Sequence, residues 1–150
     1  MFLWRISNHL SLAGDRALRT PGRWHTRGRR LVYCAQSPAA ALLEILVRFE
    51  IDIQNLPVRY RLLKIEAPDD VHVDRVSVDQ LPADWPERNE VTRALGDRWL
   101  TKGSAALLSV PSAIVPETFN VLLNPAHQDA RRIVILQAGE HAIDPRLLKL

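Results

Sequence analysis

The second half of the chain carries three strand-like segments with too little sequence between them for long helices. Residues 105–110, 119–123 and 132–137 are rich in aliphatic side chains, and short polar or proline-containing stretches connect them. Strands that follow one another in this way pair mainly antiparallel, whereas a doubly wound sheet alternates strands with helices. The pattern therefore predicts an α+β fold, a compact single domain with a mixed or antiparallel sheet.

The first half of the chain adds further strand and helix signals. β-Branched and aromatic residues predict strands over residues 2–6 and 30–35. Ser37-Pro38 has the residue types preferred where a helix starts, so a helix is expected from there to Glu50. Apolar residues occupy almost every side of that helix, which predicts that it is buried. The other expected elements are strands over 58–67 and 71–78, a helix over 86–100 that Gly96 interrupts, and a short helix opening at Asp144-Pro145.

Length, composition and cysteine content limit the class of protein. A chain of 150 residues fits one domain, residues 1–150, and 47% hydrophobic content supplies a core of normal size. Cys34 is the one cysteine, so no intrachain disulfide can form and a reducing compartment fits. No segment approaches the roughly 20 apolar residues of a membrane-spanning helix. We therefore expect a cytoplasmic protein that makes no membrane contact.

The charge of the chain permits an anionic partner without requiring one. The net charge is +3, and arginines cluster between Arg16 and Arg30. Such a cluster is commonly a solvated loop, and it is also compatible with a module that binds nucleic acid. The sequence shows neither a helix-turn-helix pattern nor an aromatic platform, which counts against the nucleic-acid alternative.

Four polar residues stand inside apolar sequence, where each needs a partner or a function. Arg23, Tyr33, Glu44 and Ser112 lie on segments that look buried, and a buried polar group must be paired or used. A charged, nucleotide-like substrate is the use that this combination favours. Glu44 has a simpler alternative as the i,i+4 surface partner of Arg48, and the pattern alone leaves both open.

The remaining candidates also have two interpretations each. Arg23 can stack on an aromatic neighbour or fork to a phosphate, and Arg5 can face a cleft or point outward from the first strand. Tyr33 can tie its hydroxyl to the backbone or stack on a heteroaromatic ligand. Ser112 can be a turn hydroxyl or the serine of a hydrolase triad, although it has no Gly-x-Ser-x-Gly motif and nothing identifies a histidine partner. Asn120 can end a strand or contact a polar ligand. The five histidines lack metal-ligand spacing, so no metal site is expected.

Taken together and in order, these fragments resemble the RES-domain family, the toxins of RES–Xre toxin–antitoxin pairs. The resemblance covers nearly the whole chain, and it rests on several short motifs rather than on one. The motifs are Trp4-Arg5-Ile6, Gly22-Arg23-Trp24-His25, Leu31-Val32-Tyr33, Ser37 to Glu44, Leu81-Pro82 with Trp85, Val110 to Pro116, Phe119 to Pro125 with His127, and Asp144 to Leu147.

The resemblance implies a fold similar to that of ADP-ribosyltransferase toxins and a site for NAD⁺ as substrate. No bound cofactor is implied. The family's chemistry would be cleavage of the nicotinamide–ribose bond by hydrolysis or by phosphorolysis with inorganic phosphate, or ADP-ribose transfer to a protein. Carried over by position, Arg23, Glu44 and Ser112 would be catalytic. The residues that would bind NAD⁺ are Arg5, Arg23, Tyr33 and Asn120.

The resemblance also implies partners. An Xre-type antitoxin would cover the site, and the toxin would form a homodimer within the toxin–antitoxin complex. Contact with DNA would come only through the antitoxin.

Overall fold

The computed structural model describes residues 1–48 and 59–148, which form seven strands, three α-helices and several 3₁₀ turns. The helices are α1 (Asp15–Arg19), α2 (Pro38–Arg48) and α3 (Asn89–Lys102). The strands are β1 (Phe2–Ile6), β2 (Val32–Ala35), β3 (Arg59–Glu66), β4 (Val73–Arg75), β5 (Leu107–Pro111), β6 (Phe119–Leu123) and β7 (Val134–Ala142).

All seven strands belong to one sheet, in the order β4-β5-β6-β2-β1-β3-β7. Neighbouring strands pair antiparallel except β4 and β5, which pair parallel. The antiparallel neighbours β5 and β6 follow one another directly in the chain, as short connections allow. This arrangement confirms the predicted α+β fold with a mixed sheet.

Alternating side chains along the strands build cores on both faces of the sheet. Leu3, Val32 and Ile65 contribute to a core on one face. Leu108, Val110 and Leu122 belong to a second buried cluster, which contains three tryptophans. Successive residues of a strand point to opposite faces, so a strand with both faces covered is apolar at consecutive positions. This explains why every residue of β5 is buried.

The sheet is weakly joined between β1 and β2. These strands share one register pair, Trp4 with Ala35, whereas β1 pairs with β3 along its whole length. Beyond that pair, the guanidinium of Arg5 donates from Nη1 to the carbonyl of Tyr33 at 2.8 Å. A side chain therefore takes the place of a backbone donor where the ladder ends.

Helix α3 holds the segment around Trp24 by close contact. Thr92 donates from Oγ1 to the carbonyl of Arg23 at 2.5 Å, and Arg93 donates from Nε to the carbonyl of Gly22 at 2.7 Å. Gly96 lies against the Trp24 backbone so closely that a Cβ there would stand 1.7 Å from its carbonyl oxygen. The helix thereby fixes the backbone on both sides of Arg23.

Helix α2 starts as predicted, but the prediction that it is buried on nearly all sides is wrong. The hydroxyl of Ser37 accepts the Ala40 N–H at 3.1 Å, as an N-cap does. Only Ala40 and Ala41 are fully buried, while Leu43 and Val47 are 40% and 43% exposed. One face packs on Trp4 and Ile6, and nothing among the described residues covers the opposite face.

Other predicted boundaries also differ from the structure. The strand expected over 71–78 is β4 alone, because a capping box between Ser77 and Gln80 closes a 3₁₀ turn. Helix α3 begins at Asn89 rather than Pro86, and Gly96 does not interrupt it. Strand β7 extends to Ala142, beyond the expected end at 137. The C-terminal helix is a 3₁₀ turn at Pro145–Leu148, and the expected end of α2 at Glu50 lies outside the described residues.

Within those residues, no helix is both long and apolar enough to pass through a lipid bilayer.

Candidate active site

A cleft of about 450 Å³ brings together most of the residues that the sequence singled out. Its walls come from α1, the segment around Trp24, β2, α2 and the chain after β5. Five of the six predicted site residues line it, and Ser112 does not; the five are Arg5, Arg23, Tyr33, Glu44 and Asn120.

Glu44 is held in the cleft by a residue from the sheet. Its Oε1 accepts a hydrogen bond from Nδ2 of Asn120 at 2.7 Å, across 76 positions of sequence. Asn120 pairs in register with Ala35, which places its side chain under α2. The Asn120 Oδ1 is buried and has no hydrogen-bond partner among the described residues. Glu44 thus has a fixed partner across the fold and is not bonded to Arg48 as a surface i,i+4 pair.

The cleft carries a surplus of positive charge. Arg5, Arg16, Arg23 and Arg48 all line it, and Glu44 is the one carboxylate among its described lining residues. Burial, and after it the charges of Arg48 and Arg16, lowers the pKa of Arg5 from its usual value. Four guanidinium groups around one carboxylate favour an anionic ligand, because guanidinium forks match phosphate and carboxylate oxygens.

Arg23 adopts one of the two arrangements that the sequence allowed, stacking on an aromatic neighbour, and the phosphate fork stays a prediction. Its Nη1 donates to the carbonyl of Pro86 at 2.7 Å and to Oδ1 of Asn89 at 3.3 Å. Its Cζ lies 5.8 Å from the ring centroid of Trp85, within cation–π range. These contacts anchor one nitrogen at the rim of the cleft, and an arginine carries five N–H donors in all.

Tyr33 and His25 form a hydrogen-bonded wall of the cleft. The Tyr33 hydroxyl lies 2.7 Å from Nδ1 of His25 and accepts the Trp24 N–H at 3.1 Å. Nε2 of His25 faces the carbonyls of Ala17 and Thr20 at 3.2 and 3.0 Å. Carbonyls only accept, so the neutral ring carries its proton on Nε2, and Tyr33 donates to Nδ1.

Burial keeps Tyr33 protonated, and two hydrogen bonds hold its hydroxyl in place. The pKa of Tyr33 rises to about 12, chiefly because burial disfavours the phenolate. Gly22 is needed beside it, since a Cβ there would stand 2.3 Å from the Tyr33 hydroxyl. The hydroxyl is therefore committed to the wall, and the ring is the part of Tyr33 that a ligand can meet.

Ser112 does not line the cleft, but together with Glu44 it lines a smaller pocket of about 150 Å³. The residue is 9% exposed, and its Oγ accepts the N–H groups of Ile114 and Val115 at 3.1 and 3.3 Å. Ala113 and Ile114 line the cleft itself. The Ser112 hydroxyl therefore shapes the loop that forms one wall, which agrees with its interpretation as a turn hydroxyl.

The sequence did not identify three ionisable residues that line the cleft, Arg16, His25 and Arg48. Arg16 stood within the arginine cluster that a solvated loop explained, and Arg48 figured only as a surface partner of Glu44. His25 follows Arg23-Trp24 in one of the family motifs, and its place in that motif was the sequence feature that could have indicated a role in the site. No group of three or more His, Cys, Asp or Glu side chains in 1–48 and 59–148 is placed to hold a metal ion.

Comparison with known proteins agrees on one family. The family model described as the RES domain matches residues 2–144. Toxin Res of Pseudomonas putida is 49% identical over 150 residues, which cover 98% of this chain and 99% of that protein. The Prs ADP-ribosylating toxin of a Sphingobium species is 36% identical, covering 97% and 96%. Toxin Res of Photorhabdus laumondii is 35% identical, covering 99% and 98%. The chain belongs to the RES-domain toxin family.

Proposed function

We propose that this toxin takes NAD⁺ as its substrate and cleaves the bond between nicotinamide and ribose. The observation that carries the proposal is Glu44, a carboxylate fixed by Asn120 in a cleft lined by four arginines. The resemblance to RES toxins and the name of the Sphingobium relative, an ADP-ribosylating toxin, support the same chemistry.

Glu44 supplies what this bond cleavage needs. When the bond from the ribose C1′ to the nicotinamide nitrogen breaks, its electron pair leaves with nicotinamide, whose ring becomes neutral. Positive charge then develops on the ribose, and a fixed carboxylate lowers the barrier by stabilising that charge. The carboxylate can also accept a hydrogen bond from a ribose hydroxyl. Because Asn120 already orients Glu44, little reorganisation is needed at the moment of reaction.

The arginines and Tyr33 account for binding. The pyrophosphate of NAD⁺ carries two negative charges, which Arg5 and Arg23 can neutralise together with Arg16 and Arg48. The Tyr33 ring, held by His25, offers an aromatic surface near the nicotinamide. In this proposal Ser112 acts through the loop that it shapes.

The acceptor of the ADP-ribosyl group defines the reaction class. Attack by water on the ribose carbon that loses nicotinamide gives ADP-ribose and releases a proton, and attack by inorganic phosphate on the same carbon gives ADP-ribose 1″-phosphate. A protein side chain as acceptor makes the enzyme a mono-ADP-ribosyltransferase. The name of the Sphingobium relative favours this second candidate function. Leu43 and Val47, exposed one turn apart on the helix that carries Glu44, offer an apolar surface that an acceptor protein could contact.

The proposal includes a partner that keeps the toxin inactive. An Xre-type antitoxin would cover the cleft, bring the only DNA contact and assemble with a toxin homodimer. The site of action would be the cytoplasm, where NAD⁺ is available.

Product analysis of NAD⁺ incubations tests the proposal, with Glu44→Gln as the decisive variant. The purified protein is incubated with NAD⁺ with and without phosphate, and nicotinamide, ADP-ribose and ADP-ribose 1″-phosphate are separated by chromatography. Glu44→Gln keeps the size of the side chain and removes its charge, so we expect the rate to fall about 100-fold or more.

Glu66→Gln is the matched control, because Glu66 is an exposed carboxylate at the end of β3 and lines neither the cleft nor its rim. It should retain the full rate of nicotinamide release. The proposal fails if wild-type protein neither consumes NAD⁺ nor labels a protein with ADP-ribose, or if Glu44→Gln is folded and fully active.

A further inference from the structure

A second groove, of about 590 Å³, adjoins the cleft. It lies between α1, the segment after β1 and the start of β3. The two cavities share four lining residues and so adjoin one another; the shared residues are Arg5, Arg16, Thr20 and Leu31. A ligand too long for the cleft can therefore extend past Arg5 and Arg16 into the groove.

The groove is strongly basic on both walls. Arg16 and Arg19 stand three positions apart on α1, where side chains lie on neighbouring parts of one face. Arg59 and Arg61 stand two positions apart on β3, where side chains point to the same side. Each wall thus presents a pair of guanidinium groups to the groove.

Nearby carboxylates offset only part of this charge. Glu140 is shared by Arg59, at 3.8 Å, and Arg61, at 3.3 Å, so one carboxylate faces two guanidinium groups. Asp15 lines the groove but pairs with Arg30. Arg19 has no carboxylate within 4 Å in the described part of the chain. Among the described residues the groove therefore has more guanidinium groups than carboxylates to pair with them, which favours a phosphate-bearing ligand.

The proposed function gives this groove a defined occupant, and the inference rests on it. With the nicotinamide end at Glu44 and the pyrophosphate at Arg5 and Arg16, the adenosine half of the dinucleotide extends into the groove. NADP⁺ differs from NAD⁺ by a phosphate on the adenosine ribose, and arginine is the side chain that accommodates this phosphate in other dinucleotide sites. Beyond Arg5 and Arg16 the groove has three further arginines that could meet such a phosphate, which are Arg19, Arg59 and Arg61.

We propose that the basic groove binds the adenosine half of a pyridine dinucleotide and that its arginines accept a phosphate monoester on the adenosine ribose, so that NADP⁺ is a substrate alongside NAD⁺. The reaction is the same as for NAD⁺. The bond from the ribose carbon to the nicotinamide nitrogen breaks, its electron pair leaves with nicotinamide, and water, phosphate or a protein group forms a new bond to that carbon.

Two measurements on the full chain test this inference. Calorimetric titration compares ADP-ribose with 2′-phospho-ADP-ribose, and initial rates of nicotinamide release compare NAD⁺ with NADP⁺. A charge-assisted contact to the extra phosphate predicts about tenfold tighter binding of the phosphorylated ligand. The kcat/KM for NADP⁺ should equal or exceed that for NAD⁺.

Arg19→Ser tests whether the groove binds the extra phosphate, because Arg19 lines the groove and not the cleft. It should remove most of the tenfold binding preference and lower the NADP⁺ to NAD⁺ ratio of kcat/KM by a similar factor. Arg131→Ser is the matched control, since Arg131 is exposed and lines neither cavity. It should leave both ratios as in the wild type.

The outcomes separate this inference from the proposed function. If neither dinucleotide is cleaved but the phosphorylated ligand binds tighter and Arg19→Ser abolishes the preference, the groove is an adenosine-phosphate site and the proposed reaction fails. If NAD⁺ is cleaved while NADP⁺ is more than tenfold poorer and 2′-phospho-ADP-ribose binds no tighter than ADP-ribose, the groove inference is overturned and the proposed reaction stands.

Discussion

Ser112 shapes the wall of a cleft that it does not itself line. Its hydroxyl accepts two backbone N–H groups, and the loop that it holds supplies Ala113 and Ile114 to the wall of the cleft. Glu44 differs, because its bond to Asn120 fixes a carboxylate that faces the cleft directly. Both Ser112 and Glu44 stood out in the sequence as polar residues within apolar segments. Only their hydrogen-bond partners in the structure distinguish a residue that holds a loop from one that faces the cleft.

Replacing Ser112 with alanine should therefore reduce stability more than chemistry. Two partly buried backbone donors lose their acceptor, so we expect Ser112→Ala to lower the free energy of unfolding by about 1 kcal/mol. The rate of NAD⁺ cleavage should fall much less than in Glu44→Gln, with the change mainly in KM as the loop loosens. Urea unfolding and steady-state kinetics measure the two effects.

Ser11→Ala is a suitable control, since the Ser11 hydroxyl accepts the Ala13 N–H in the same local pattern but in an exposed loop. Its free energy of unfolding should change by less than about 0.5 kcal/mol. A fully stable Ser112→Ala protein with activity as low as that of Glu44→Gln would instead make Ser112 a participant in the reaction.

At the scale of elements, residue types along the chain predicted strands β1 and β6 and the start of α2. The contacts between distant elements depend on tertiary packing. β1 and β6 have the predicted bounds, and Ser37 caps α2 as its residue type suggests. Local sequence could not show that the apolar face of α2 carrying Leu43 and Val47 borders a cleft. Nor could it show that Asn120, 76 positions away, would meet Glu44, because that contact exists only once β6 lies beside β2.

Gly96 is the clearest case in which packing overrides local propensity. A glycine inside a helix costs about 1 kcal/mol relative to alanine, so propensity alone predicts that Gly96→Ala stabilises the protein. The structure predicts the opposite, since the new Cβ would stand 1.7 Å from the Trp24 carbonyl oxygen. We expect the free energy of unfolding, measured by urea denaturation, to fall by about 1–3 kcal/mol.

The same substitution should also weaken the site, because α3 positions the backbone around Arg23. Arg98→Ala, at an exposed position on the same helix, should change the free energy of unfolding by less than about 0.5 kcal/mol. A Gly96→Ala protein as stable as the wild type would contradict the close packing of α3 on Trp24.

For the whole molecule, the distribution of charge matters more than its total. The net charge is only +3, from 20 basic and 17 acidic residues. Many arginines outside the cleft have carboxylate partners, such as Arg132 with Asp70 at 2.6 Å and Arg146 with Asp144 at 2.7 Å. The four arginines of the cleft have no carboxylate within 4 Å among the described residues. Arginines without a carboxylate partner also occur elsewhere on the described surface, but the cleft brings four guanidinium groups together around one carboxylate, which favours an anionic ligand there.

This distribution predicts that salt weakens the binding of phosphate-bearing ligands. The screening length falls from about 10 Å at 0.1 M salt to about 3 Å at 1 M, so attraction across an open cleft is strongly reduced. We expect the Kd of ADP-ribose to rise about fivefold or more over this range in calorimetric titrations. Arg16→Ser should weaken binding at low salt and reduce the salt dependence, since Arg16 borders both cavities. Arg75 is an exposed arginine on β4, so Arg75→Ser should change neither the binding at low salt nor its salt dependence. A salt-independent Kd would mean that the clustered arginines do not bind the pyrophosphate.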